Sequence, residues 1–100
     1  MSHVARKLLT IVTESALEKI LPEDFKKLGA RGFTITEARG QGSRGMRSGT
    51  WDENGNIRIE ILCDSVTADA IAHHLQTRYY DDYAMVVFIS DVMVLRPDKF

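Results

Sequence analysis

A single glycine-rich stretch sets the limits on this fold. Residues 40–56, GQGSRGMRSGTWDENGN, hold five of the seven glycines and no aliphatic β-branched side chain, which predicts a long loop whose tip stays out of the core. The apolar residues are thereby divided into two stretches, one on each side of the loop. A chain of 100 residues can bury roughly 60–68% of its unfolded surface, enough for one modest core but not for two domains or a deep private chamber. Residues 1–100 are therefore expected to form a single domain, and any binding site on it to be shallow or shared between subunits.

The two stretches follow the same plan. In the first, KLLTIV (Lys7 to Val12) is a β-branched, apolar run with the character of a largely buried strand. Leu17, Ile20, Leu21, Phe25 and Leu28 then recur at helical spacing up to Gly29, which supplies a C-terminal stop. Pro22 breaks this segment, and the helix is expected to restart with Pro22 near its first position and Glu23 and Asp24 in the favourable first turn. From Gly32 to Arg39, Phe33, Ile35 and Glu37 alternate with Thr34, Thr36 and Ala38 as a second strand. Beyond the loop, Ile57, Ile59, Ile61 and Cys63 alternate with Arg58, Glu60 and Leu62 in a third strand that should pair with the second. Ser65 is a good N-cap for a second helix carrying Val66, Ala70, Ile71, Leu75 and Tyr79 on one stripe. DDYA turns the chain into a last strand, Met85 to Arg96, with Pro97 near its end. The order β-α-β-loop-β-α-β points to an α+β, ferredoxin-like βαββαβ fold: a four-stranded antiparallel sheet with two helices on one face. Strands this apolar leave the other sheet face partly uncovered, and self-association is the common remedy, so a homo-oligomer is expected.

Charge narrows the partners. The formal net charge is −1, which gives no electrostatic reason to expect broad binding to nucleic acid or membrane surfaces. The balance hides an asymmetry, because residues 39–50 contain three arginines and no acid while the other 88 residues sum to −4. Cys63 is the one cysteine, so no internal disulfide can form, and no Cys/His cluster has zinc spacing. No apolar run approaches the ~18 residues of a membrane span. A cytoplasmic protein without a structural metal is the expectation.

The loop carries the most conspicuous motif. GQGSRG, Gly40 to Gly45, matches the dinucleotide pattern G-x-G-x-x-G by letter, but that motif must open a helix after the first strand of a parallel unit, and here it lies between two antiparallel strands. A kinase-type glycine loop is excluded by length. What remains is physical: glycine amides that can approach an anion, with Arg39, Arg44, Arg47, Ser43, Ser48 and Thr50 close by in sequence, are the groups that phosphate or carboxylate recognition uses. Composition alone fits an anion cradle and a solvated hairpin loop equally well. Arg96 either joins this patch or ends its strand in water. Asp69 with His73, and His74 beside it, give a metal hint that lacks a third ligand. Asp81 and Asp82 read as turn residues, Tyr79, Tyr80 and Tyr83 as core or interface, and Cys63 as a small core residue; Trp51 either anchors a partner or pins the loop. No arrangement of serine or cysteine with histidine and acid marks a catalytic site.

KLLTIVTE (Lys7 to Glu14), GARGFTITEARGQGSRGMRS (Gly29 to Ser48), IRIEILCD (Ile57 to Asp64) and YYDDYAMVVFISDVMVL (Tyr79 to Leu95) together resemble the PII-like signalling proteins. The similarity is greatest to the branch of the bicarbonate-transporter regulator SbtB and the carboxysome-associated PII proteins (CPII). The G-x-G-S-R-x-x-R-S stretch is its specific part. The resemblance implies a trimer with an adenine nucleotide in each cleft between subunits, and a long loop acting as effector arm on a transporter or other target. It implies that Gly40, Gly42 and Ser43 line the nucleotide, that Arg44 and Arg47 reach its phosphates beside Ser48, and that Gly32, Phe33 and Thr34 of the adjoining subunit form part of an adenine wall opposite Glu60 and Leu62. Ala84 and Met85 would lie in a second nucleotide-side loop, and Arg96 would approach from a neighbour. Relatives that sense nitrogen carry a modifiable tyrosine in the arm and a glycine- and lysine-containing phosphate loop after the second helix. Here the arm has no tyrosine and DDYAM stands in place of that loop. The resemblance therefore implies AMP or ADP, with or without bicarbonate, rather than a magnesium-bound triphosphate with 2-oxoglutarate, and control of inorganic-carbon uptake or carboxysome function rather than catalysis. The alternative is a small ferredoxin-like phosphatase of the acylphosphatase kind, which would want a glycine-rich phosphate loop where the first strand runs into TESALEK.

Overall fold

The computed structural model describes residues 3–40 and 55–96. The elements follow in the order β1 (Val4–Glu14), a 3-10 turn (Ser15–Leu17), α1 (Leu21–Lys27), β2 (Thr34–Ala38), β3 (Asn56–Cys63), α2 (Ser65–Arg78) and β4 (Met85–Val94). The strands form one antiparallel sheet in the order β2-β3-β1-β4, as the βαββαβ reading expects. None of the described helices is long and apolar enough to cross a membrane.

Register sorts the side chains onto two faces. Leu9 lies opposite Ile61 and Ile89, and Ile11 opposite Ile59 and Val87, while Ile35 of β2 lies opposite Ile59. Both helices cover this face: Leu17, Leu21 and Phe25 from one side and Ala68, Ile71 and Leu75 from the other close a continuous buried core with Leu9, Ile11, Ile57, Ile59 and Ile61. Each leucine, isoleucine or phenylalanine among them contributes about 1.5–3 kcal/mol when fully buried. The opposite face is apolar too, with Leu8 and Val12 of β1 beside Val86 and Phe88 of β4, which are 54% and 46% exposed. Thr10, between Glu60 and Phe88 in the register, is fully buried on that face, and its hydroxyl makes no hydrogen bond among the described residues.

Local signals explain the helices, with three corrections. The break before Pro22 takes the form of the 3-10 turn, after which α1 starts with Pro22 in its first two positions and Glu23 and Asp24 in its first turn. Gly29, at φ +105°, ends it as expected. Ile20 falls at the break and is 46% exposed, so it leaves the predicted apolar stripe. The N-cap of α2 is Asp64 rather than Ser65: Asp64 has extended backbone and its carboxylate accepts the Thr67 N–H at 2.8 Å, while Ser65 is already helical. That backbone hydrogen bond holds the Asp64 carboxyl below its usual range. Val66 is 76% exposed and Ala68 takes its place in the core. Five residues before Ile71 on a 3.6-residue helix is the wrong side of the cylinder.

A polar fastening joins the two helices. Tyr79 Oη donates to Asp24 Oδ2, and His74 Nε2 lies 2.9 Å from the same oxygen. The ring of Tyr79 is edge-on to His74 and tilted against Tyr83, with centroids 5.9 and 6.0 Å away. Burial pushes the Asp24 carboxyl up, but the hydrogen bonds from Tyr79 and His74, with the charges of His74 and Arg78, outweigh it and leave the group below its usual range. Burial first, then the bond to Asp24, pushes the Tyr79 phenol up to about 12. A raised folded value favours the protonated phenol, so the stability it contributes is complete below pH 10.0 and is lost as pH rises toward 12. Tyr79→Phe should cost about 1–2 kcal/mol at neutral pH and flatten the alkaline fall in stability between pH 10.0 and 12. Urea denaturation across that range checks this, and an unchanged alkaline slope would contradict it.

Candidate functional site

Three consecutive residues at the C-terminal end of β1 hold the chain on either side of them. Thr13, fully buried, donates from Oγ1 to the Ala84 carbonyl at 2.7 Å. The Glu14 carboxylate accepts the Ala84 N–H at 2.6 Å. The Ser15 N–H donates to the Gly55 carbonyl at 3.1 Å. Gly55 adopts φ +75°, a backbone conformation that favours glycine, and a Cβ there would sit 3.1 Å from Ser15 Oγ, which would have to give way. Thr13 is opposite Met85 and Glu14 is opposite Asn56, which in turn faces Ala38 on β2. Gly40, two residues beyond Ala38, therefore leaves the sheet at the same end as Ala84, with open space where a Cβ would point. The base of the long loop and the link from α2 to β4 are thus tied to one corner of the sheet.

The remaining predicted residues divide by place. Gly42, Ser43, Arg44, Arg47 and Ser48 lie outside the described residues, as do Thr50 and Trp51. Thr34 lies directly opposite Glu60, and Leu62 follows on the same sheet face. Glu60 Oε2 is 3.4 Å from Arg58 Nε in an exposed pair of the kind that contributes little to stability. Phe33 points to the other side of the sheet, edge-on to Phe25 with ring centroids 5.9 Å apart, and keeps 43% of its surface exposed. Met85 is half-buried against the core. Arg96 is exposed just past the far end of β4. At ~3.3 Å per residue along a strand, that end is roughly 30 Å from Ala84. One chain therefore gathers Gly40, Ala84 and Met85 at one end of the sheet and Thr34, Glu60 and Leu62 along it, but keeps Arg96 far from both.

Other candidates take ordinary places. His74 turns to Asp24, Asp69 and His73 are exposed, and no group of three or more metal-type ligands occurs among the described residues. Asp81 and Asp82 are exposed in the turn after α2. Cys63 is buried in the core, and burial pushes its thiol up, away from reactivity. Thr13 and Glu14 were not legible as site residues, because Ala84 lies 71 and 70 positions away in sequence.

Comparison with known proteins adds an independent line to this geometry. The sequence model of the family described as nitrogen regulatory protein P-II matches residues 6–99. A protein from Thermus thermophilus assigned to PII-like signalling is 48% identical, with a TM-score of 0.85 over 100% of this chain and 99% of that one. CPII from Thiomonas intermedia, a nitrogen regulatory PII-like protein solved with ADP, AMP and bicarbonate, is 26% identical, with a TM-score of 0.84 over 99% of this chain and 96% of that one. The B. subtilis GlnK–ATP complex, at 18% identity and a TM-score of 0.61 over 88% of this chain and 82% of that one, shares the fold.

The corner geometry predicts the effect of a near-isosteric change. Thr13→Val leaves the Ala84 carbonyl without its hydroxyl donor and should lower stability by about 1–2 kcal/mol. Chemical denaturation measures it, and an unaltered midpoint would show that the bond to Ala84 contributes nothing.

Proposed function

The chain belongs to the nitrogen regulatory protein P-II family, and from that premise we propose that it is a non-catalytic cytoplasmic signalling protein that binds AMP or ADP, with or without bicarbonate, in clefts between subunits of a homotrimer. Its 40–56 segment is the effector arm, and its target is a protein of inorganic-carbon uptake such as a bicarbonate transporter, or a carboxysome component. The observation that carries the reading is the match along nearly its whole length to CPII, a protein solved with these ligands. The local geometry supports it: the segment that bears Gly40, Gly42, Ser43, Arg44, Arg47 and Ser48 leaves the sheet at the corner where Ala84 leads into Met85, the first residue of β4. Arginine forks and glycine amides suit a phosphate or a bicarbonate, both small oxyanions.

The separation of the site residues within one chain supports a shared cleft. Arg96 sits at the opposite end of β4 from Ala84, so a ligand touching both needs two copies. The uncovered sheet face supplies a reason to associate: Leu8, Val12, Val86 and Phe88 are apolar on the side that neither helix covers. A copy seated there removes apolar surface from water at about 25 cal/mol per Å². In the trimer, Gly32 and Thr34 of the adjoining subunit stand opposite Glu60 and Leu62 on the adenine side, Phe33 packing toward Phe25 instead, and Arg96 comes from a neighbour.

Calorimetry with AMP, ADP and ATP, with and without bicarbonate, tests the reading. Binding of AMP or ADP is the expected result, and no adenine-nucleotide heat at millimolar ligand would sink it. Arg44→Ala and Arg47→Ala should each weaken binding by about 1.5–3 kcal/mol, the range of a charge-assisted contact; unchanged affinity in both would place the phosphates elsewhere. For the assembly, light scattering should give three times the 11.3 kDa of one chain, and Phe88→Glu should yield folded single chains with little nucleotide affinity. A Phe88→Glu protein that remains trimeric would move the interface to another surface.

A further inference from the structure

The link between α2 and β4 spends its backbone amides on the protein itself. Asp82 and Tyr83 donate their N–H groups to the Tyr79 carbonyl at 3.1 and 3.0 Å, and Ala84 donates its own to the Glu14 carboxylate at 2.6 Å. Three successive amides are thereby turned inward, whereas a phosphate-cradling loop turns such amides toward the ligand. The acceptor at Ala84 is also an anion. Among the described residues, the recorded partner of the Glu14 side chain is that amide alone, with no cation beside it. Glu14 is half-buried, so its charge is less screened than that of a side chain in open water. Asp81 and Asp82, both exposed, add negative charge along the same link.

We propose that Glu14 determines how many phosphates the bound ligand carries: its carboxylate, fastened to the Ala84 amide, occupies the anion position of this link and disfavours a nucleotide whose phosphate chain reaches it. The inference rests on the nucleotide site proposed above, and deepens it by naming the residue that selects among AMP, ADP and ATP. Glu14 holds the Ala84 peptide from the protein side. Each phosphate added to a chain that reaches this link brings another negative charge toward a carboxylate that no described cation neutralises.

Glu14→Gln separates charge from position, because the carboxamide oxygen can still accept the Ala84 N–H. Calorimetry with AMP, ADP and ATP on the wild-type chain and on Glu14→Gln, at low and at raised salt, is the test. The expected result is a gain in affinity that rises with phosphate number, on the order of three- to tenfold for ATP and least for AMP, and that shrinks as salt is added. A purely structural role for Glu14 would change the three nucleotides alike, and that outcome overturns the proposal, as does no change at all. Glu18→Gln, an exposed acid further along the chain, is the control; an equal graded gain there would mean a general charge effect and overturn the assignment to Glu14. If the glutamine variant does not fold, Glu14→Met removes the charge at similar length and should give the same ranking, and failure of both to fold would make Glu14 a structural residue. A wild-type chain that binds no adenine nucleotide overturns the functional reading and this proposal together, whereas binding without a graded gain overturns this proposal alone.

Discussion

The fold depends on β1 being apolar on both faces and hydrogen-bonded along both edges. It pairs with β3 from Lys7 to Glu14 and with β4 from Val4 to Thr13, so no part of its long middle is an edge. Leu9 and Ile11 fill the core beneath the helices, while Leu8, Thr10 and Val12 look the other way. A single layer of two short helices can satisfy only one of these faces. The other stays uncovered within one chain, and the proposed assembly draws its apolar surface from there.

The same strand organises the site at its end. Thr13 donates to the Ala84 carbonyl and Glu14 accepts the Ala84 N–H, while Ser15 engages Gly55 where the chain re-enters the sheet. The loop base and the link into β4 are therefore held by adjacent residues of a rigid, centrally placed element. Such an arrangement fixes both ends of the segment between β2 and β3 to one corner, a common way for binding loops to be mounted on a scaffold. The fastening of α1 to α2 through Asp24, His74 and Tyr79 keeps the start of that link in place, since Tyr79 also accepts the amides of Asp82 and Tyr83.

The strands, the break at Pro22, the stop at Gly29 and the pairing of β2 with β3 were legible in the sequence, because they rest on period-two alternation and on the backbone properties of proline and glycine. Local competition was harder to read. Ser65 and Asp64 are both good caps, and only the backbone geometry shows that Asp64 takes the role. Val66 and Ile20 look like stripe members by residue type, yet helix phase and the 3-10 break place them in solvent. Contacts across some 50 to 70 positions were not legible at all: Asp24 with His74 and Tyr79, and Thr13 and Glu14 with Ala84, pair residues that nothing local connects. Gly40, Thr34, Glu60, Leu62, Ala84 and Met85 could be named as candidates from resemblance. That they lie on one sheet end and one sheet face, with Arg96 far away, required the register.

In the proposed protein the ligand site belongs to the assembly and not to the single chain. Native mass spectrometry in the presence of ADP tests this directly, because it weighs each assembly together with its bound nucleotide. The expected spectrum holds a species of three chains that carries up to three nucleotides, with single chains free of ligand. Single chains carrying ADP as readily as the assembly would contradict a shared site.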